Sequence, residues 1–466
     1  MMSVMGVSLY VYGTKVVKVF YLYCNKKIFL FCFYLHNIGN NAYLCQMNNY
    51  FMRKITLFLF LLLCANGMCQ RHEMLDESIA SLQVVADDNW LSLPMIELRS
   101  HQHINIGFDD LSHTYRRFAY KIEHCESDWT VSDQLFQSDF IDGFATGNLI
   151  EDIEESINTT VLYTHYSFSI PNRQCRLKMS GNYRVTIYDD NDDARPVATA
   201  CFMVVDRQMG VQLDVTTNTD IDVNNRHQQV VMQLNYGNVN VVNPSAQIKT
   251  VVVQNQQWHD ARINAKPQYV MTNGLRWEHC RDYIFDGGNE YHKFEVLDPT
   301  HPTMGVDRID WDGENYQVYV FPDMPASNYI YDEDANGCFY IRNSDNYEND
   351  RTSDYVFVNF ELHVPYRYNG DVYVNGVWTN NRFMPENKMA YDHESRCYRA
   401  SILLKQGYYS YNYLLHSADG TVGLVPSEGN FFQTENSYTA LVYYRELGGR
   451  SDLLIGEGHI GGRRTR

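Results

Sequence analysis

The residues with the clearest chemical potential are acidic. Asp332-Glu333-Asp334-Ala335-Asn336-Gly337 puts side-chain oxygens at the first, third and fifth positions of a loop and glycine at the sixth. That is how a calcium loop opens, since hard oxygens suit a hard cation. The bidentate acid such a loop needs at position 12 is missing, because Asn343 stands there. Asp189-Asp190-Asn191-Asp192-Asp193 is a second acidic run. Asp and Asn also favour hairpin turns, where they bond their own backbone. A solvated turn is the preferred reading of both runs, and calcium the alternative.

Catalytic patterns are missing. The sequence has no GxSxG elbow, no HExxH, no phosphate-binding P-loop and no GxGxxG joining a strand to a helix. Glycoside hydrolysis needs two carboxylates facing one bond, but any pair chosen from 56 acidic residues would be arbitrary. No catalytic residue, cofactor-binding residue or metal ligand is assigned, and no enzymatic activity is expected. Trp378 is the one obvious aromatic platform for a sugar ring. Its other reading is core packing, the commoner use of a tryptophan.

The elements that must position these residues read as strands. Phe118, Tyr120 and Ile122 alternate with Lys121 and Glu123. Tyr183, Val185 and Ile187 alternate with Arg184 and Thr186. Val356, Val358, Phe360, Leu362 and Val364 repeat the pattern, as do Tyr398, Ala400, Ile402 and Leu404. A period of two means half-buried antiparallel strands. Turn signals separate them at Gly181-Asn182, Gly287-Gly288, Asn375-Gly376 and Gln406-Gly407. No long amphipathic helix appears. The expected fold is all-β, with antiparallel sandwiches of immunoglobulin-like or early-set type in tandem.

The first 69 residues stand apart. Residues 1–51 are aromatic and Asn-rich, without a regular period. Met52-Arg53-Lys54, the apolar run Ile55 to Leu63 and the small residues Ala65-Asn66-Gly67 then form a secretory signal peptide over residues 52–69. Its apolar core is far short of the ~20 residues a spanning helix needs. A signal works at an N-terminus, so residues 1–51 read as a mis-annotated extension. The alternative is a first membrane segment near residues 16–33, interrupted by Lys18, Lys26 and Lys27. Six of the 38 Lys and Arg, and none of the 56 acids, lie in residues 1–69. The remainder carries 32 cations against 56 anions, a formal charge of −24. Nucleic acid and anionic membrane surfaces are poor partners for such a chain, and no direct membrane insertion is expected. Six cysteines remain, widely spaced. They permit disulfides in an exported chain, or stand as six separate thiols.

The expected domains are residues 78–206, residues 207–349 with the Asp/Asn-rich loop, and residues 350–447. Residues 448–466 read as a mobile tail.

Ordered landmarks fill the first two blocks. Tyr120-Lys121-Ile122-Glu123-His124-Cys125 leads to Asp128-Trp129-Thr130, then Phe140-Ile141-Asp142-Gly143-Phe144 and Tyr163-Thr164-His165-Tyr166. Ile170-Pro171-Asn172, Asn243-Pro244-Ser245 and Gly287-Gly288-Asn289-Glu290 follow. In this order they resemble the type IX secretion system plug family of Bacteroidetes. The resemblance implies a non-enzymatic subunit in the periplasm, at the inner face of the outer membrane. Its implied partner is the large outer-membrane β-barrel translocon, which it closes when no substrate is engaged. The third block, with Gly370-Asp371-Val372-Tyr373-Val374-Asn375-Gly376-Val377-Trp378 and Lys405-Gln406-Gly407-Tyr408-Tyr409, resembles early-set domains related to glycogen-binding modules. The alternative function is therefore a glycan-binding envelope protein that uses Trp378.

The turn reading of the acidic runs predicts no change in melting temperature on adding calcium to about 1 mM, the range of weak extracellular sites. A calcium-dependent rise would identify a site.

Overall fold

The computed structural model describes residues 6–12, 15–24, 27–35, 72–192 and 194–461. The expected signal peptide at residues 52–69 lies outside them, as do Asp193 and the last five residues. Within the expected extension, Gly6–Tyr12, Lys15–Cys24 and Lys27–Leu35 pair as an antiparallel three-stranded sheet, a unit to itself.

The rest of the described chain is three β-sandwiches. In the first, the sheet built on Phe118–Cys125, Gly181–Asp189 and Arg195–Val205 packs against the sheet built on Ile79–Ala86, Ile104–Asp110 and Thr164–Ile170. The expected alternation is the packing pattern: Phe118, Tyr120, Ile122, Tyr183, Val185 and Ile187 are all in the core between the sheets. Phe202 stacks on Tyr183 at 5.2 Å, a geometry that adds to the area such rings bury.

The second sandwich differs from the expected block at residues 207–349. One sheet holds Gly210–Thr216, His227–Asn235 and Gly274–Trp277. The other is Arg262–Ile263, Ile248–Gln254, Tyr438–Tyr444 and Leu453–Ile460. Val251 pairs with Leu441, so the C-terminal strands complete a sheet begun far upstream. The expected mobile tail is corrected over its described part: Leu454 and Ile455 are buried in Leu453–Ile460. Sequence reading saw only the glycines and arginines around a strand whose apolar residues are few.

The third sandwich is inserted into the second. Its core runs from Phe294 to Val425 and includes Val356, Val358, Phe360, Leu362, Ile402 and Leu404. The boundary therefore falls near residue 290, and the Asp/Asn-rich stretch near 332–350 lies inside the third sandwich. The two connections of the insertion cross at Gly287 and Gly288. Gly288 accepts from the Phe431 N–H at 2.7 Å, and Gly287 accepts from the Asn436 amide at 2.7 Å. A Cβ on Gly287 would lie 2.1 Å from the Phe431 carbonyl oxygen, so only glycine allows this approach. Gln406-Gly407 is likewise a corner and not a hairpin: Cys397–Lys405 belongs to one sheet and Gly407–Ser417 to the other. No disulfide joins the six described cysteines, and all of them are buried.

The sandwiches are locked to one another. Cys125, Trp129, Met203 and Val205 of the first share a core with Val251, Trp258 and Leu441 of the second. Asp452 of the second accepts from the Ser127 N–H at 3.0 Å and hydroxyl at 2.8 Å, and from Lys249 at 2.8 Å. Burial raises the Asp452 pKa, but these donors prevail and hold it at about 2.

The first and third sandwiches meet over a fully buried charge pair. Lys405 Nζ lies 2.6 Å from Asp109 Oδ2, and neither side chain reaches solvent. The Tyr355 hydroxyl donates to the same oxygen at 2.6 Å, and His165 Nδ1 sits 2.7 Å from the other. The ammonium also lies 4.2 Å from the centre of the Tyr163 ring. Burial disfavours the Asp109 charge, yet Lys405 and His165 outweigh it and keep the carboxyl below its ordinary range. Nearby, Asp354 accepts the backbone N–H groups of Thr160 and Val161 at 2.8 and 3.1 Å.

Removing one member of a buried pair strands the other charge. Lys405→Met should cost about 3–5 kcal/mol of unfolding free energy. The double variant Asp109→Asn/Lys405→Met should recover part of that loss. Chemical denaturation checks both, and a double variant no better than the single would contradict the pairing.

A second test concerns His292 in the third sandwich. Its ring donates to Asp323 at 2.9 Å and to Glu428 at 2.9 Å. Burial lowers its pKa, but the two carboxylates prevail and raise it well above 6.5. A raised folded value means stability that is complete below the unfolded histidine pKa of about 6.5 and is lost as pH rises through the folded value. The melting-temperature gap between the natural protein and His292→Gln should be widest near pH 6 and shrink in alkali. A gap that widens with pH would contradict the assignment.

Candidate docking cleft

Where the three sandwiches meet they enclose a cleft of about 650 Å³. Its floor is the outer face of a first-domain sheet. Period-two alternation puts the apolar side chains Ile104, Ile106 and Phe108 inward. It leaves Asn105 and Gly107 facing the cleft, beside His165, Ser167 and Ser169 of the neighbouring strand. Ser167 pairs in register with Gly107, and Ser169 with Asn105. Trp90 of the first domain and Tyr340 of the third form a wall, their rings stacked at 5.4 Å. Trp258 of the second domain lines the same space.

The floor continues into the charge network below it. His165 spans the two levels, with Nδ1 on buried Asp109 and the rest of the ring at the cleft. Gly107 bears no side chain beside it; a Cβ there would meet the ring Cε1 at 3.2 Å. The cleft was not legible in the sequence, because its residues come from all three sandwiches. The alternation of small polar residues along residues 165–169 was the only available signal.

The acidic runs and Trp378, singled out in the sequence, lie outside this cleft. Trp378 is not an open platform. It packs on the third-domain core, with Phe360 at 6.4 Å and Tyr409 at 5.7 Å, and its indole N–H donates to the Ser410 carbonyl at 3.2 Å. In the Asp332–Gly337 run, Asp334 turns inward. Its carboxylate accepts the Tyr291 N–H and, at 2.7 Å, the Asn336 N–H. Burial pushes its pKa up to about 7. Asp332 pairs with Lys293 at 2.6 Å. In the other run, Asp189 is a buried partner of Arg116 at 3.0 Å, Asp190 pairs with Arg117 at 3.2 Å and Asp192 with Arg195 at 2.9 Å. These carboxylates hold turns and guanidinium groups. No group of three or more metal-ligating side chains gathers among the described residues.

One pair that sequence reading missed has the look of catalysis. His124 Nδ1 lies 2.9 Å from Ser132 Oγ. Both are buried, and the other ring nitrogen donates to the Ser180 carbonyl at 3.1 Å, where a triad would have a carboxylate. Burial pushes the His124 pKa down to about 4. The pair ties the strand Phe118–Cys125 to the loop after it, within the first-domain core.

Comparison with known proteins follows this architecture. The family model described as "Type 9 secretion system plug protein 1st domain" matches residues 79–206, the whole first sandwich. A crystal structure of a hypothetical protein from Parabacteroides merdae is 35% identical. The alignment covers 84% of this chain and 99% of that one, with a TM-score of 0.81. All three sandwiches are therefore shared with a natural relative. An enterococcal surface protein fragment aligns over 85% of this chain and 96% of its own at 8% identity, but with a TM-score of 0.17. No curated protein matches. On the matched first sandwich and the ordered landmarks within it, the chain belongs to the type 9 secretion system plug protein family.

Proposed function

We propose that this protein is a periplasmic plug subunit, which occludes the outer-membrane β-barrel translocon of the type IX secretion system when no substrate is engaged. The family match across residues 79–206 carries this reading. The family is a structural, non-catalytic one, and the work proposed here is mechanical. A plug must keep one shape through repeated docking. Two buried junctions supply that rigidity: the shared core between the first and second sandwiches, and the Asp109–Lys405 pair between the first and third. Cargo loading then needs only to compete with the docked state for its release.

The docking face is assigned to the family-matched domain. Phe136 and Phe144 are 73% and 67% exposed there. Their loops adjoin, since the Gln137 side-chain amide donates to the Gly143 carbonyl at 3.3 Å. Exposed aromatic pairs of this kind mark interaction sites, and buried aromatic anchors dominate interface energies. The Asp-rich turn near residue 190 is a poorer steering element than its composition suggests, because its described carboxylates are already paired. The glycan-binding alternative loses its platform, because Trp378 is spent on core packing.

Affinity purification of the tagged protein from envelopes of its native host should recover an outer-membrane β-barrel. Phe136→Ser/Phe144→Ser should reduce that recovery at least about tenfold, the effect of losing about 1.4 kcal/mol of binding. If no barrel is recovered with the natural protein, the plug reading fails. If the double variant recovers it unchanged, the docking face lies elsewhere.

A further inference from the structure

A second cleft, of about 450 Å³, lies in the first sandwich. Residues 96–103 form one wall and residues 171–177 the other, with buried Ile96 and Val204 beneath. Arg99 stands on the first wall, and Arg173 and Arg176 on the second; all three are exposed. None of them forms an ion pair among the described residues. Elsewhere arginines are taken: Arg116, Arg195, Arg342 and Arg445 each hold a carboxylate. Glu97, the one carboxylate among the described lining residues, is paired with Arg207 at 2.6 Å. Asp142 faces Arg176 in strand register, but it does not line the cleft. The cleft is thus a cationic site in a chain whose acids outnumber its bases.

Both walls are braced before any ligand arrives. The Ser100 hydroxyl donates to the Glu97 carbonyl at 2.7 Å, and the Gln102 side-chain oxygen accepts the Glu97 N–H at 3.0 Å. Opposite, Asn172 Oδ1 accepts the N–H groups of Gln174 and Cys175 at 2.9 and 3.1 Å, and its amide donates to the Tyr120 hydroxyl at 2.8 Å. Fixed loops lose little freedom on binding. The second wall adjoins exposed Phe144, whose N–H donates to the Gln174 carbonyl at 2.9 Å. Guanidinium groups only donate, and their planar fork fits a carboxylate. Half-buried Leu98 and Leu177 add apolar contact between the charges. An anionic membrane fits less well, because it would repel the formal charge of −24 carried by residues 70–466.

We propose that this cleft binds an extended acidic segment of a partner protein, with carboxylates on Arg99, Arg173 and Arg176 and apolar side chains against Leu98 and Leu177. The inference deepens the docking face proposed at Phe136 and Phe144 and rests on that reading for the identity of the partner.

The test is calorimetric titration of the full chain with the peptide acetyl-(Glu-Leu)₃-amide. The neutral peptide acetyl-(Gln-Leu)₃-amide and phosphatidylglycerol vesicles serve as comparison ligands. Saturable binding of the acidic peptide below about 1 mM is expected, with the glutamine peptide at least about tenfold weaker and the vesicles not bound. Added salt should weaken the binding. Arg173→Gln/Arg176→Gln should weaken it at least about tenfold. Arg367→Gln/Arg396→Gln removes the same charge from the third sandwich and should leave binding within about twofold. All four arginines are exposed, so folding should survive, and thermal melting checks it. No saturable binding, equal affinity for the glutamine peptide, equal losses in the two double variants, or preference for the vesicles would each overturn the proposal. Because the titration needs no barrel, peptide binding without barrel recovery would sink the plug reading alone, and barrel recovery without peptide binding would sink this proposal alone.

Discussion

The arrangement of this molecule depends on a charge placed where charges are costly. Asp109 and Lys405 sit at the ends of strands from different sandwiches, with no access to water. Either ion alone would carry a desolvation penalty of several kcal/mol. Together with Tyr355 and His165 they satisfy one another, but only if the first and third sandwiches hold one relative position. A hydrophobic contact tolerates sliding by an ångström; a hydrogen-bonded ion pair of this kind does not. The cleft inherits its geometry from the same constraint, since its floor belongs to the first sandwich and much of its wall to the third.

The chain path adds a second constraint. Because the third sandwich is inserted into the second, the second cannot close until Tyr438–Tyr444 returns to pair with Ile248–Gln254. The connections cross at Gly287, where backbone meets backbone with no room for a side chain. Asp452, just before the last strand, then reaches across to Ser127 of the first sandwich. Each sandwich is thereby held by both of the others, or through them.

The local structure was plain in the sequence, and the long-range structure was not. Period-two alternation at residues 118–122, 183–187, 356–364 and 398–404 marks strands because each strand meets the core on one face. Nothing local tells a strand which partner it will find. The discontinuous second sandwich was therefore missed, and its last strand was read as tail. Trp378 was ambiguous for a related reason: a platform and a core residue share one composition, and only its contacts with Phe360 and Tyr409 separate them. The acidic runs were expected to be solvated turns, yet Asp189 and Asp334 are buried, and their arginine and backbone partners lie beyond any local window. His165 stood in the sequence only as part of the landmark Tyr163-Thr164-His165-Tyr166, because its surroundings, Asp109, Lys405 and Gly107, are brought to it by the fold.

Occlusion of a barrel is the function proposed for this three-sandwich body of the plug family. The claim that it closes a pore can be read directly as ion current. In a planar bilayer holding the purified type IX translocon, adding this protein on the periplasmic side should abolish most of the open-barrel conductance. Washing it out should restore the current. Conductance that is unchanged at saturating protein, or blocked equally from the outer side, would contradict the account.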